Sequence, residues 1–442
     1  MKYPDLFVTW IMRCIDTAAF SVSVNGELEG FFGSSRGIRQ GCSLSPYLYV
    51  IISNVLSKLL NKAAANDLFG YHPQCQEVNL SHLSFADDIV VFTNGSPASL
   101  RHILLVFEEF ASLSGLQINI AKSTVLAAGR GKQLLETEAA AVGLSVSTLP
   151  IKYLGLPLTS KIMSKTDYEP LVSKIRNRLL SWTSKALSYA GRLQLIKSVI
   201  ASMTNFWCAD FCLPQACIDE IESMCSVFLW SGSPHDTSKA KVALEDVCQP
   251  YAEGGLCIRR VREVSMVFML KLIWRLFSCS TSLWGDWARH YLLRGETFWD
   301  ARDTGLGSWV WRKLLQLKPL AKRFIRMTIN DGRSVRVWTD IWHPEGRLIE
   351  LTGEIGTQKL GIAREARVCD VFRDGAWRFR NCRDQRIRGI VQAITAFLLS
   401  LAPASSDAAI WKWGDDEYKA GFVATELGNN FVVVRKKSRG AN

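Results

Sequence analysis

The apolar positions of this 442-residue chain change period from one region to the next. Between residues 84 and 92, Ser-Phe-Ala-Asp-Asp-Ile-Val-Val-Phe sets two adjacent aspartates between short runs of strand-forming residues. That pattern predicts a β-hairpin with Asp87-Asp88 at its tight turn. Ser45 and Pro46 read as a helix start, a hydroxyl cap followed by proline at the first helical position. Leu48, Ile51, Ile52, Val55 and Leu59 then recur at helical spacing, which predicts a helix with one face in a core. Leu171, Ile175 and Leu179 recur every four residues among Lys174, Arg176 and Arg178, the pattern of an amphipathic helix with a basic outer face. Met266 to Phe277 mixes bulky apolar residues with Lys271 and Arg275 and reads as a largely buried helix. Residues 324–342 alternate in strand fashion around Asp331-Gly332, consistent with a small hairpin. Pro403 to Asp407 reads as a loop, and no repeat of fixed period is evident. Helices and short strands in this order make an α+β chain.

With 48% apolar residues the chain can bury real cores, and its length allows two or three domains. It has no uninterrupted apolar run of about 18 residues, so no membrane span is expected. A basic lead followed by an apolar stretch is absent at the N-terminus, and a nuclear or cytoplasmic location, not secretion, is the expectation. The net charge of +12 is unevenly spread: residues 1–160 carry 11 Lys+Arg against 12 Asp+Glu, and the remainder carries 42 against 29. The first basic block runs from Lys161 to Lys197 and contains Lys174, Arg176, Arg178, Lys185, Arg192 and Lys197. It reads as a helical surface following a nucleic-acid backbone, or as a solvated helix face. Fourteen of the 15 tryptophans follow residue 180, often beside a cation, as in Trp274-Arg275 and Trp377-Arg378. Such pairs suit stacking on unpaired bases, and equally a tryptophan-rich core with a charged rim. Cys208, Cys212, Cys217 and Cys225 cluster without a Cys-x-x-Cys pair or a His doublet, so buried free thiols are expected rather than a zinc site.

The paired carboxylates are the candidate chemistry. Neighbours on a straight strand point to opposite faces, so only a turn lets Asp87 and Asp88 converge. Two carboxylates without a nearby cation favour Mg²⁺, which takes few protein oxygens and keeps its other positions for water and phosphate. A surface Asp-Asp turn capping its own backbone fits the same nine residues. Upstream, Gly33, Gly37 and Gly41 allow close backbone approach, and Arg36, Arg39 and Gln40 supply donors suited to phosphate or base.

Arg39-Gln40-Gly41-Cys42-Ser43-Leu44-Ser45-Pro46, followed by Phe85-Ala86-Asp87-Asp88, resembles the palm of reverse transcriptases from non-LTR (LINE-type) retrotransposons, particularly plant ones. Phe107 to Ser123, Ile151 to Pro157, Trp182 to Ile200, Glu253 to Leu256 and Asp331 to Trp338 resemble further elements of that family in the expected order. The resemblance implies RNA-directed DNA polymerisation by two-metal nucleotidyl transfer, with an RNA template, a DNA primer, deoxynucleotide triphosphates and Mg²⁺. In that reading Asp87 and Asp88 are the catalytic metal ligands, Asp87 the inner and Asp88 the weaker or outer one. Arg39, Gln40, Gly41, Phe85 and Ala86 would border the template and incoming nucleotide. Leu154 and Gly155 would belong to the primer grip, and Lys174, Arg178, Lys185 and Arg192 would meet the nucleic-acid backbone. Ser43 stands where the family often has proline.

The family also needs an aspartate on the first palm strand. Tyr3-Pro4-Asp5-Leu6-Phe7 resembles the helix after that strand, and Asp5 and Asp16 belong to the helical stretch. The expectation is a chain truncated at both ends: a palm lacking first strand and fingers over 1–160, a basic helical thumb-like region over 161–245, a Trp-rich region over 246–415 and a divergent basic tail over 416–442. Without the shared aspartate this polypeptide is expected to be inactive or nearly so. A non-catalytic nucleic-acid-binding remnant is the alternative, and a Mg²⁺-dependent nuclease built on Asp87 and Asp88 is a weaker third. No membrane and no obvious protein partner are expected.

Overall fold

The computed structural model describes residues 3–33, 38–159, 161–183, 187–234, 242–278, 282–305, 307–397, 399, 401–402, 404–414 and 417–422. Arg36, Gly37, Lys185 and the basic tail Arg435 to Arg439 lie outside them. The described chain mixes helices with small sheets, an α+β composition, and divides into two compact units, Met1–Gly155 and Leu156–Asn442.

The first unit opens with helix α1 (Asp5–Asp16) and a hairpin of β1 (Ala19–Val24) and β2 (Glu27–Gly33), turned at Asn25-Gly26 with positive φ at both residues. An Asn-Gly pair supplies the backbone that such two-residue turns require. α1 buries none of its residues, and Leu28 and Phe31 stand 76% and 83% exposed. The core begins with α2 (Ser45–Ala65), which packs on α3 (Pro97–Ser114) through Leu56, Leu60, Ala63, Ala64, Ile103, Val106 and Phe110. Leu48 is buried, and Ile52 and Leu59 pack at the margin, so the buried stripe centres on Leu56 and Leu60. Ser96 accepts the Ser99 N–H, Pro97 takes the first turn and Gly115 closes α3 at φ 72°. Between the two helices lies the antiparallel pair β3 (His82–Phe85) and β4 (Asp88–Val91). A second small core joins Leu100 of α3 to Leu135 and Ala139 of α4 (Lys132–Ala141), beside the parallel strands β5 (Thr124–Leu126) and β6 (Ser145–Ser147). β7 (Ile151–Tyr153) ends the unit.

The second unit starts at β8 (Leu156–Leu158) and is mostly helical at first. α5 (Lys165–Thr183) buries Leu171, Val172, Ile175 and Leu179. It shares that core with α6 (Tyr189–Leu195), α7 (Ala201–Asp210), α8 (Gln215–Ser231) and the short α9 (Leu244–Val247). α10 (Val261–Phe277) buries Met269, Leu270, Ile273, Trp274 and Leu276 and leaves Lys271 and Arg275 exposed. The clustered cysteines are free thiols. Burial pushes the Cys208, Cys217, Cys225 and Cys248 thiols up to about 12.

The hairpin expected over 324–342 does not form. β9 (Ile325–Thr328) instead pairs with β12 (Ala408–Lys412), which pairs in turn with β13 (Tyr418–Lys419). The intervening β10 (Phe372–Arg373) and β11 (Ala376–Trp377) make their own hairpin. The reason lies in Asp407, whose carboxylate accepts the N–H groups of Asn330, Gly332, Ser334 and Val335 at 2.7–3.2 Å and so fixes the turn from outside. Trp338, Trp342 and Trp411 are fully buried, so these indoles belong to cores rather than to a binding face.

Candidate active site

β3 and β4 face each other in register from His82–Val91 to Phe85–Asp88, leaving Ala86-Asp87 as a two-residue turn. Asp87 therefore occupies the turn and Asp88 the first position of the returning strand, and both are exposed. Ala86 sits at φ 50°, a left-handed conformation that disfavours a side chain and persists only when its surroundings hold it. The surroundings are visible: the Tyr49 hydroxyl of α2 donates to the Ala86 carbonyl at 3.1 Å. Further along the same helix face, Ser57 meets His82 Nε2 at 3.0 Å, and Asn61 accepts from Ser81 at 2.7 Å. Tyr49, Ser57 and Asn61 fall at four-residue multiples, so one polar stripe of α2 carries the hairpin from its base to its tip.

The Arg39-Gln40-Gly41 loop is tied to the same helix. The chain turns there with Gly41 at φ 83°, and α2 starts one residue earlier than the Ser45-Pro46 cap predicts. The Ser45 hydroxyl, inside the first turn, donates back to the Arg39 carbonyl at 2.6 Å. Arg39 and Gln40 are exposed. A backbone N–H from Leu44, partly offset by burial and helped by Ser45 and Arg39, draws the Cys42 thiol below its usual value. From the other side, burial and then the charge of Asp88 push the Tyr153 phenol up, which places β7 within electrostatic reach of the hairpin tip. Leu154 and Gly155, both at positive φ, turn the chain immediately after it. Phe85, 64% exposed, is the residue facing Asp88 across the turn. No sequence motif marks Tyr49 or Tyr153 as part of this site; the four-residue stripe on α2 is the one sequence signal for the first.

Neither the Asp87 nor the Asp88 carboxylate has a hydrogen bond or ion pair to another described residue. Among the described residues no group of three or more His, Cys, Asp or Glu side chains could hold a metal ion. Two unpartnered carboxylate oxygen donors still fit Mg²⁺, which is commonly held by one or two carboxylates together with substrate phosphates. Asp5 and Asp16 are exposed at the two ends of α1.

In the second unit Lys174 and Arg178 lie exposed one turn apart on α5. Arg176 between them is spent on Glu169 and Glu220, at 3.4 and 2.6 Å. Arg192 is turned inward: its guanidinium donates to the Phe228 carbonyl at 3.5 Å and packs beside Gly232, at the C-terminal end of α8. It thus serves a helix end that favours positive charge.

Residues 1–158 match the reverse transcriptase (RNA-dependent DNA polymerase) family. The reverse transcriptase match contains the loop, the α2 stripe, the Asp87-Asp88 turn and Tyr153. The chain is also 27% identical over 266 residues to a putative ribonuclease H protein of Arabidopsis thaliana, covering 59% of this chain and 42% of that protein. An uncharacterized 149 kDa protein of a Xenopus laevis transposon is 28% identical over 61% of this chain and 20% of its own length. A retrovirus-related Pol polyprotein from a type-2 retrotransposable element of Drosophila melanogaster is 25% identical over 61% and 25%. The chain therefore spans less than half the length of each of these relatives.

Proposed function

We propose that residues 1–158 are the palm portion of an RNA-directed DNA polymerase from a non-LTR retroelement. The observation carrying this reading is the exposed, unpartnered Asp87-Asp88 pair at a two-residue turn braced by Tyr49 and approached by Tyr153, inside the family match. The names of the transposon and retrotransposable-element relatives support the element type. In this reading Asp87 is the inner metal ligand and Asp88 the outer. Divalent ions, when bound, supply activation of a primer 3′-hydroxyl and neutralisation of the departing pyrophosphate. The chain's own groups then position the substrates. Arg39 and Gln40 offer donors to the template and incoming nucleotide, Gly41 and the Ala86 turn let them approach, and Leu154-Gly155 meets the primer. Lys174 and Arg178 contact the nucleic-acid backbone.

Two carboxylates are one short of the shared set that the two-ion reaction uses, and no third acidic donor stands with them among the described residues. We infer that this polypeptide by itself binds template–primer without extending it. Primer extension on an RNA template with Mg²⁺, beside an Asp87→Asn, Asp88→Asn variant, is the test. Incorporation by the unmodified chain that is lost in the variant would establish a working site and sink the inference of inactivity. Absence of incorporation together with absence of template–primer binding would sink the polymerase reading of this polypeptide.

A further inference from the structure

The β10–β11 hairpin and the helix Gln385–Ala396 enclose a cavity of about 250 Å³ in the second unit, apart from the carboxylate turn. Trp377 and Phe379 form one wall, Leu360 and Val391 line it further, and Arg380 and Arg388 stand at it. The volume falls below the roughly 300–1,000 Å³ usual for small-molecule pockets, room for one flat ring system. The aromatic wall is the exposed end of a ladder. Trp342 stacks on Trp377 at 5.4 Å and 18°, and Trp377 on Phe379 at 5.6 Å and 9°. Trp342 is fully buried, whereas Phe379 is only half-buried, so the ladder runs from the core outward.

Two features of this wall are unsatisfied. Trp338 and Trp342 donate their indole N–H groups to the carbonyls of Ile362 and Val337, at 3.3 and 2.9 Å. The Trp377 Nε1 is buried with no partner among the described residues, although buried indoles ordinarily find an acceptor. The cations at the rim are also unneutralised. Residues 373–388 contain six arginines against two aspartates. Asp374 is paired with Arg378 at 2.8 Å and Asp384 with Lys359 at 2.6 Å. Arg386 is turned to the Leu351 carbonyl. Arg388 spends one N–H on the Arg383 carbonyl, and Arg380 has no ion pair among the described residues. An aromatic pair, one of whose indoles carries an orphan donor, and two exposed arginines thus line one small cavity.

We propose that this cavity takes a single unpaired base of single-stranded nucleic acid, with Arg380 and Arg388 on the flanking phosphates. Stacking needs no particular base, so the site is sequence-tolerant. Duplex is excluded because its bases offer no free face. The site lies outside the family-matched segment, so it stands or falls independently of the polymerase reading.

The experiment uses the full chain and a fluorescent octamer of uridine carrying one photoactivatable thiouridine. Duplex RNA of equal charge and free uridine monophosphate serve as the other probes. The expected result is a cross-link within residues 377–391, and an Arg380→Gln, Arg388→Gln variant that binds the octamer about tenfold more weakly. Its log–log salt slope should be shallower by about 1.4, the share of two phosphates on a single strand. Duplex affinity should not change. Both arginines are exposed and outside the core, so the variant keeps its fold; a Trp377→Phe variant retains the stack while removing the orphan donor and should weaken octamer binding too. Cross-links elsewhere, or unchanged octamer affinity in the arginine variant, overturn the proposal. Saturable binding of the monophosphate as tight as the octamer would also overturn it, because a nucleotide pocket needs no strand.

Discussion

At the scale of single residues the site is held by strain met with a brace. Ala86 adopts a left-handed backbone that costs an ordinary residue roughly 1–2 kcal/mol, while glycine adopts it freely. Ala86→Gly should therefore stabilise the first unit by about 0.5–1 kcal/mol after the entropy of glycine is counted. The shift would show in the midpoint of urea unfolding, and a lowered midpoint would mean that the turn is not strained. Two adjacent aspartates between β-formers were legible in the sequence because the period-2 pattern and the turn residues agree. The brace was not, since Tyr49 is 37 residues from the carbonyl that it meets.

Among elements, the same distance decides what could be read. The spacing of Leu171, Ile175 and Leu179 marks the buried side of α5, and all three are buried. Arg192 belongs to the same basic block in the sequence, yet three-dimensional packing assigns its guanidinium to a helix end. Replacing the exposed pair, Lys174→Gln with Arg178→Gln, should make template–primer binding less salt-sensitive by about 1.8 in log–log slope on duplex, whereas an Arg192→Gln change should lower stability instead. Fluorescence anisotropy across a salt series checks the first, and thermal unfolding the second.

The turn at Asp331-Gly332 was visible, but its partner Asp407 is 75 residues away, and no local pattern reports it. Burial pushes the Asp407 carboxyl up, yet the backbone N–H groups of Asn330, Ser334 and Gly332 outweigh burial and hold it below the usual carboxylate range. A carboxyl depressed in the folded state contributes its stability above its unfolded value, near ~3.9, and loses it as pH falls through the lower folded value. Acid unfolding of the second unit should thus contain a component below about pH 4 that Asp407→Ala removes. The same substitution orphans several buried donors and should cost roughly 3 kcal/mol at neutral pH. A loss under 1 kcal/mol would show that the loop holds itself.

Over the whole molecule, apolar burial is uneven. Among the described residues the first unit has two small cores and leaves Leu28, Phe31, Tyr47 and Phe85 more than half exposed, while the second has three larger clusters. Local opening is easiest where few side chains are buried. Amide hydrogen exchange should accordingly be fastest across residues 5–33, where α1 and both hairpin strands bury nothing, and slowest in α5, α8 and α10. Equal protection in both sets would contradict this ordering.

The described thiols divide by burial, Cys75 of the first unit standing with the buried thiols of the second, and that division gives an experimental handle. Thiolate, not thiol, attacks an alkylating reagent. Burial keeps Cys208, Cys217, Cys225 and Cys248 protonated throughout the neutral range, whereas Cys42, beside the Arg39–Gly41 loop, is drawn toward its anion. With the exposed Cys14 and Cys257 replaced by serine, a maleimide dye would settle first, among the described thiols, at Cys42 beside the Arg39–Gly41 loop. An arriving strand would then announce itself as a change in that dye's emission, with no turnover required.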